Sequence, residues 1–503
     1  MTEQCLQPLA AKRVCFAPGF TERDMNLRGL AGWSSAVCLS ALTLGAQQTN
    51  EVEALRKQLE QLKSDFEKTM REQRQTIESL QKQLDALRTN RAAATNPPAV
   101  ASTPPGPTPA LPYPAWSPTQ PITVARAGSA YMNISFDALM DFGWSTDPEP
   151  SRRLLLGDHD PNQRGFTLAT SEFAMQGAVD PYFSGFANIV FKLDRHNETE
   201  VELEETYLTT TDLPANLQLK AGQMFVNFGR QNPQHPHQWA FVDSPLILTR
   251  TFGPEALQQL GAQVSWLAPT PHYIEAFLSV LNGRGKSAFG FRNRGEDDGT
   301  GIDRFHGRAT LDRNLHGPGD LVFVPRLATS FDLTDDQTLV LGTSAAVGPN
   351  DTGPHTRTEI YGVDAYWKWK PAHAHGGFPF VSWQTEALYQ RFEAGADPLA
   401  PTLLPAETLR DWGFYTQVLW GFRQRWVAGL RGEYVTGNNG GFDAEDIFRG
   451  DRTRVSPNLT WYPSEFSKIR LQYNYDHGQD FGDEHSAWLQ LEFQLGAHAP
   501  HKF

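Results

Sequence analysis

From Ala487 to Leu495 the chain changes chemistry at every residue: Ala487, Leu489, Leu491, Phe493 and Leu495 share one parity, and Trp488, Gln490, Glu492 and Gln494 the other. Side chains of a strand point alternately to opposite faces, so this stretch separates an apolar face from a polar one. The apolar parity runs on through Ala497 and Ala499 to Phe503, the ending expected of the closing strand of a bacterial outer-membrane barrel. The same alternation recurs upstream. Met132, Ile134, Phe136, Ala138, Met140, Phe142 and Trp144 oppose a mostly polar set that includes Asp137 and Asp141. Tyr361, Val363, Ala365, Trp367 and Trp369 oppose Asp364 and Lys368, with Lys370 continuing the polar parity, and Ile469, Leu471, Tyr473 and Tyr475 oppose Arg470, Gln472 and Asp476. Trp412 to Phe422 adds a strand with rings at both ends, where the aromatic girdles of a membrane barrel lie. A soluble sandwich also alternates, but its outward face does not carry long Trp- and Tyr-rich runs.

The formal charge of -13 and negative mean hydropathy do not exclude a membrane protein, because only alternate residues of a barrel face lipid. The body of the chain has no uncharged apolar run of about 18 residues, so a helical span is excluded and a closed barrel is the remaining membrane-spanning solution. The acidic balance, with no basic stripe, argues against nucleic acid as a partner. Roughly 375 residues from Ala127 onward, at about 10 per strand plus connections, predict on the order of 16 antiparallel strands around a water-wide lumen. Tight turns are expected at Asp180-Pro181, Asp212-Leu213-Pro214 and Tyr462-Pro463-Ser464, and long external loops at 282–303 and 436–451.

Ahead of the barrel, predicted for 127–503, the chain has three other zones. Residues 1–46 form an export segment: Met25, as the start, followed by Arg28, a weakly apolar stretch from Leu30 to Leu44 and small residues at Gly45-Ala46, has the layout of a signal peptide, with an extended n-region from Met1 as the alternative. All three cysteines, Cys5, Cys15 and Cys38, lie within it, so the exported chain needs no disulfide. In 47–91, Leu55, Leu59, Leu62, Phe66, Met70, Gln73, Ile77, Leu80, Leu84 and Leu87 follow steps of three or four, the seam of an α-helical coiled coil. A seam of this kind implies an oligomer, with a trimer the natural count and a single solvated helix the alternative. Residues 92–126, crowded with proline from Pro97 to Pro121, form a spacer of extended geometry.

The decapeptide Ala221–Arg230, the turn Asp180-Pro181-Tyr182 and the run Trp461-Tyr462-Pro463-Ser464-Glu465-Phe466 leading into Arg470-Leu471-Gln472-Tyr473 resemble the phosphate-selective porin O and P family. The coiled coil, the proline spacer and the ending from Gly496 to Phe503 are similar to a branch of porin-like proteins with such an N-terminal extension. The resemblance implies a 16-stranded, trimeric channel for small hydrophilic solutes or anions, with an inward-folded loop narrowing the pore.

Candidate lumen residues are Lys192, Arg230, Arg250, Lys368, Lys370 and Arg470, together with Asp137, Asp141, Glu202, Glu204, Asp364 and Glu492. Members selective for a dianion need a ladder of cationic donors, and this mixture does not form one; a general or mildly selective porin is expected, with Arg230 and Arg250 either a partial ladder or neutralised by wall carboxylates. His235 and His237, two residues apart, would share a face in an extended segment and offer a weak site for a borderline cation. His373 and His375 repeat the spacing, and His498 and His501 lie near the end. No enzyme motif and no cofactor site is present in the sequence. Alternative readings are a structural tether reaching peptidoglycan or a periplasmic protein through the coiled coil, and a metal-related outer-membrane receptor.

Overall fold

The computed structural model describes residues 121–496, apart from 195, 293–295, 298–302, 312–313, 398–402, 442–445 and 447–448. The export segment, the coiled coil, most of the proline spacer and the histidines near the end lie outside the described residues. Among the described residues, sixteen strands form one closed antiparallel barrel: β1 (Ala130–Ser145), β2 (Gly165–Ala178), β3 (Phe183–Leu193), β4 (Thr199–Thr210), β5 (Leu217–Phe225), β6 (Gln258–Leu267), β7 (Ile274–Leu281), β8 (Val322–Thr334), β9 (Gln337–Pro349), β10 (Arg357–Trp369), β11 (Phe380–Ala394), β12 (Glu407–Arg423), β13 (Trp426–Thr436), β14 (Arg452–Ser464), β15 (Ser467–Gly478) and β16 (Gly482–Leu495). Each strand pairs with the next, and β16 closes on β1 with Leu495 opposite Phe136 and Ser486 opposite Ser145. A further leading strand, Ile122–Ala127, folds back on Ala130–Ile134 of β1, so sheet begins inside the stretch expected to be the last of the spacer.

The predicted parities hold. Trp144, Trp412 and Trp420 are exposed on the outer face at 63%, 48% and 54%, with Phe142, Tyr361, Leu471 and Phe493 beside them, while Asp137, Asp141, Gln472 and Gln490 are buried within. An outer band of this chemistry is suited to hydrocarbon, and barrel closure leaves no unpaired edge in it. The turns at Asp180-Pro181 and Asp212-Leu213-Pro214 lie where expected. Tyr462-Pro463-Ser464 remains in strand, and the chain reverses instead at Glu465-Phe466, because Ser464 and Ser467 still pair across the hairpin.

The longest connections, 146–164, 226–257, 282–321 and 437–451, share one barrel end, and the other end has connections of ten residues or fewer. The connection 226–257, between β5 and β6, folds into the lumen. Its helix α1 (Leu246–Phe252) is buried on every side, and Leu246, Ile247, Leu248 and Phe252 pack with Val226 and Phe228 against the inward residues Ile360, Leu388, Tyr415 and Val435 of β10–β13. Ala288 and Phe291 join the same core, so this part of the stretch expected to be an external loop is tucked inward. Each such side chain stabilises by about 1.5–3 kcal/mol, which explains why apolar residues occupy inward positions in a barrel of otherwise polar interior.

The inward loop and its anchors as candidate functional site

Loop 226–257 crosses the lumen and is fastened to the wall at three places. The first is at β11. Glu386 accepts backbone N–H groups of Arg230 at 3.0 Å and Gln231 at 2.6 Å and the hydroxyl of Tyr415 at 2.7 Å. Gly229 lets the loop approach: its φ is +61°, and a Cβ there would collide with the Glu386 carboxylate.

The second anchor is at β1–β4. Residues 236–238 form one 3-10 turn rather than an extended segment, yet the expected juxtaposition occurs, with the His235 and His237 rings stacked at a centroid distance of 5.7 Å. His235 Nδ1 lies 2.8 Å from Glu204 and its Nε2 2.9 Å from Glu205, while His237 Nδ1 lies 3.4 Å from Glu172. Burial disfavours the charged imidazoles, but the facing carboxylates outweigh it: Glu204 holds the pKa of His235 well above the usual value, and Glu172 raises that of His237. His159, buried against Glu204 at 3.4 Å, is pushed up to about 9 by that carboxylate against the effect of burial.

The third is at β13–β15. Asp243 accepts from Arg431 at 2.7 Å, Arg454 at 2.6 Å, Gln472 at 2.6 Å and Asn474 at 3.1 Å, and Arg431 also donates to the Asp243 carbonyl at 2.9 Å. The adjoining N–H of Leu246, at the start of α1, donates to Glu433 at 2.6 Å. Fixed guanidinium forks make these charge-assisted bonds both strong and directional.

The cations expected in the lumen are distributed among such contacts and do not line up as a ladder. Lys192 pairs with Asp158 and, at 2.9 Å, with Glu202. Arg250, on α1, is buried 3.8 Å from Asp411, and burial lowers its pKa to about 10 although Asp411 opposes the shift. The Arg230 guanidinium lies over the Tyr366 ring at 3.9 Å. Arg470 donates to Thr460 and Gln490 of the wall and to the Trp239 carbonyl of the loop at 2.8 Å. Lys368 is exposed near the short-turn end, and Lys370 lies one residue beyond β10, in the turn rather than on the lumen face. Among the carboxylates, Asp364 pairs with Arg326 at 2.6 Å and Glu492 with Lys468, whereas Asp137 is fully buried with neither oxygen hydrogen-bonded. His373 and His375 are exposed in the β10–β11 turn and join no histidine–carboxylate group among the described residues.

The sequence reading missed Glu172, Asp243, Glu386, Arg431 and Arg454. Arg431 and Arg454 were visible as charges at the parity opposite Leu430 and Val455, and the run Leu246-Ile247-Leu248 marked a connection that had to bury itself.

A recess of about 240 Å³ opens inside the short-turn end of β12–β16, lined by His237, Trp239, Thr460, Lys468, Arg470 and Glu492 among others. It joins loop residues to wall residues of both charges.

An uncharacterized protein of Aquifex aeolicus (strain VF5) is 31% identical to this chain over 362 residues, which is 68% of this chain and 71% of the relative. The chain belongs to the family of that Aquifex protein. No protein-family model matches it. Among solved structures, the outer membrane channel DcaP of Acinetobacter baumannii aligns over 74% of this chain and 99% of its own, with TM-score 0.46 and 11% identity. An anion-selective porin from Comamonas acidovorans aligns over 73% and 100%, with TM-score 0.45 and 7% identity, and OmpT, an outer membrane protein of Vibrio cholerae in its trimer form, over 73% and 99%, with TM-score 0.43 and 8% identity. Likenesses this distant carry neither solute nor assembly over to this member of the Aquifex family.

Proposed function

We propose that the protein is a porin of the bacterial outer membrane, giving passive passage to small hydrophilic solutes along the barrel interior. The observation that carries this reading is, among the described residues, a closed sixteen-strand barrel with an apolar outside and a largely polar inside, whose inward connection 226–257 is pinned to the wall on three sides. A wall of this circumference encloses far more space than its own side chains fill, and a pinned loop sets how much of it remains open.

Selectivity follows from pairing. Lys192, Arg250, Arg326, Arg431 and Arg454 each face a carboxylate, so a dianion entering would have to compete with fixed partners rather than meet free donors. We infer weak ion preference; phosphate selectivity, which the resemblance implies, is the sharper alternative. The heptad pattern of 47–91 supports a homotrimer whose coiled coil stands in the periplasm.

Single-channel recording in planar bilayers under a salt gradient tests this. Discrete steps with a small reversal potential and no block by phosphate are expected. A strong anion preference with phosphate block would replace the general porin by a selective one, and an absence of steps would overturn the channel. Deleting residues 47–121 separates channel from tether: envelope detachment with unchanged conductance would assign the coiled coil a mechanical role.

A further inference from the structure

Where loop 226–257 meets β1–β4, histidines and carboxylates converge with too few hydrogen-bond donors to serve every oxygen. One donor atom from each of Glu172, Glu204 and His235 lies within 4.8 Å of the others, and so does one from each of Asp137, Glu172 and His237. Glu172 belongs to both groups, 3.6 Å from His235 Nδ1 and 3.4 Å from His237 Nδ1. All five residues are buried. Asp137 is the decisive member: it is 0% exposed, both of its oxygens lack a hydrogen-bond partner, and it is aimed at Glu172 and His237. An isolated buried carboxylate is costly, and a cation is one of the few partners able to meet it.

Asn188 adds an independent observation. Its amide nitrogen lies 3.1 Å from Glu172, 2.7 Å from Glu204 and 3.3 Å from His235 Nδ1, three polar atoms of the cluster around one NH2 group, while its Oδ1 has no partner. The amide thus stands at the focus of the group, and turning it over brings a fourth ligand, an oxygen, to the same place.

We propose that this cluster is a divalent-metal centre of the zinc class, with Glu172 as the shared carboxylate between a His235–Glu204 half and a His237–Asp137 half. Mixed imidazole and carboxylate donors suit zinc and its borderline neighbours, whereas calcium prefers an all-oxygen shell. The centre joins two separate parts of the molecule, since both histidines come from the inward loop and the carboxylates from β1, β2 and β4. A bound ion bolts the loop to the wall, and the recess lined by His237 gives it a route in. The inference is independent of which solute the barrel passes.

The test uses the purified full-length chain in detergent, stripped with a chelator and titrated with Zn²⁺ by calorimetry, with retained zinc measured by mass spectrometry after gel filtration. Stoichiometric zinc is expected in the wild type, and at least about 100-fold weaker binding in a His235→Gln, His237→Gln double variant and in Asp137→Asn, the milder change that keeps the fold should the double variant lose it. A His373→Gln, His375→Gln control retains wild-type binding. No heat and no retained zinc in the wild type, or equal binding by Asp137→Asn, would overturn the centre. Calcium binding as tight as zinc would overturn the zinc-class assignment.

Discussion

At β13–β15 the inward loop offers one carboxylate, Asp243, to two guanidiniums, whereas at β1–β4 it offers two imidazoles to the carboxylates Asp137, Glu172, Glu204 and Glu205. Both contacts are buried and both join the same loop to the same barrel, yet they differ in what can switch them. Arginine keeps its charge at any accessible pH, so the Asp243 side is a permanent fastening. Histidine carries charge only when it holds a proton and binds a metal only when it does not, so the other side is conditional. One loop thus has a fixed flank and an adjustable flank, and the distinction can be broken by experiment.

The largest effect is expected from Asp243→Ala. It leaves Arg431 and Arg454 short of a partner, which costs about 3 kcal/mol, the lower end of the range for breaking a buried pair, because Arg431 retains Glu433 and Arg454 retains Asp476. Urea unfolding in micelles, followed by tryptophan fluorescence, measures it; a loss no greater than that of a surface substitution would remove the fixed flank. Gly229→Ala comes next, at about 1–3 kcal/mol, from a left-handed backbone combined with the collision at Glu386, and it should raise current noise by loosening the β11 anchor.

A pH effect of intermediate size is expected at Asp160, beside the fixed flank. Its carboxylate accepts the Ser244 N–H at 2.8 Å, and burial, with the charge of Asp243 adding to it, pushes its pKa up to about 7 while Arg454 opposes. The raised value means that the folded protein holds this proton longer than the unfolded chain does. Stability therefore falls as pH rises from about 4 to about 7 and levels off above, where Asp160 is charged in both states. Comparing unfolding midpoints at several pH values in the wild type and Asp160→Asn checks this, since the slope should diminish in the variant. Lys368→Gln is expected to change least, within about 0.5 kcal/mol, because the side chain is exposed near the barrel mouth; a small shift of reversal potential toward cations is its only expected signature.

The barrel was legible because alternation is a local property: Trp412 to Phe422 shows its two faces without reference to any other strand. The direction of the β5–β6 connection was legible in part through its motif, and the closeness of His235 to His237 through their spacing. What they meet was not. Glu172 and Glu204 look like any inward carboxylate until closure brings β2 and β4 beside the loop, and Asp243 is separated from Arg431 and Arg454 by about two hundred residues of chain. The sequence left Arg250 between a partial pore ladder and neutralisation by a wall carboxylate, and only its place on a helix buried on all sides, beside Asp411, distinguishes the two. Long-range pairing of this kind is a property of three-dimensional register and leaves no mark in a window of residues.

The seam between β1 and β16 bears on how the molecule is made. Every other barrel pairing joins strands that follow one another, so those hairpins can zip up in order, but Phe136 waits for Leu495 until the last strand exists. On that edge of β1 the leading strand Ile122–Ala127 pairs from Ala130 to Ile134, and β16 takes the stretch from Phe136 to Ser145. The finished barrel therefore has one seam that sequence-adjacent hairpins do not make, and it is confined to a short stretch of β1.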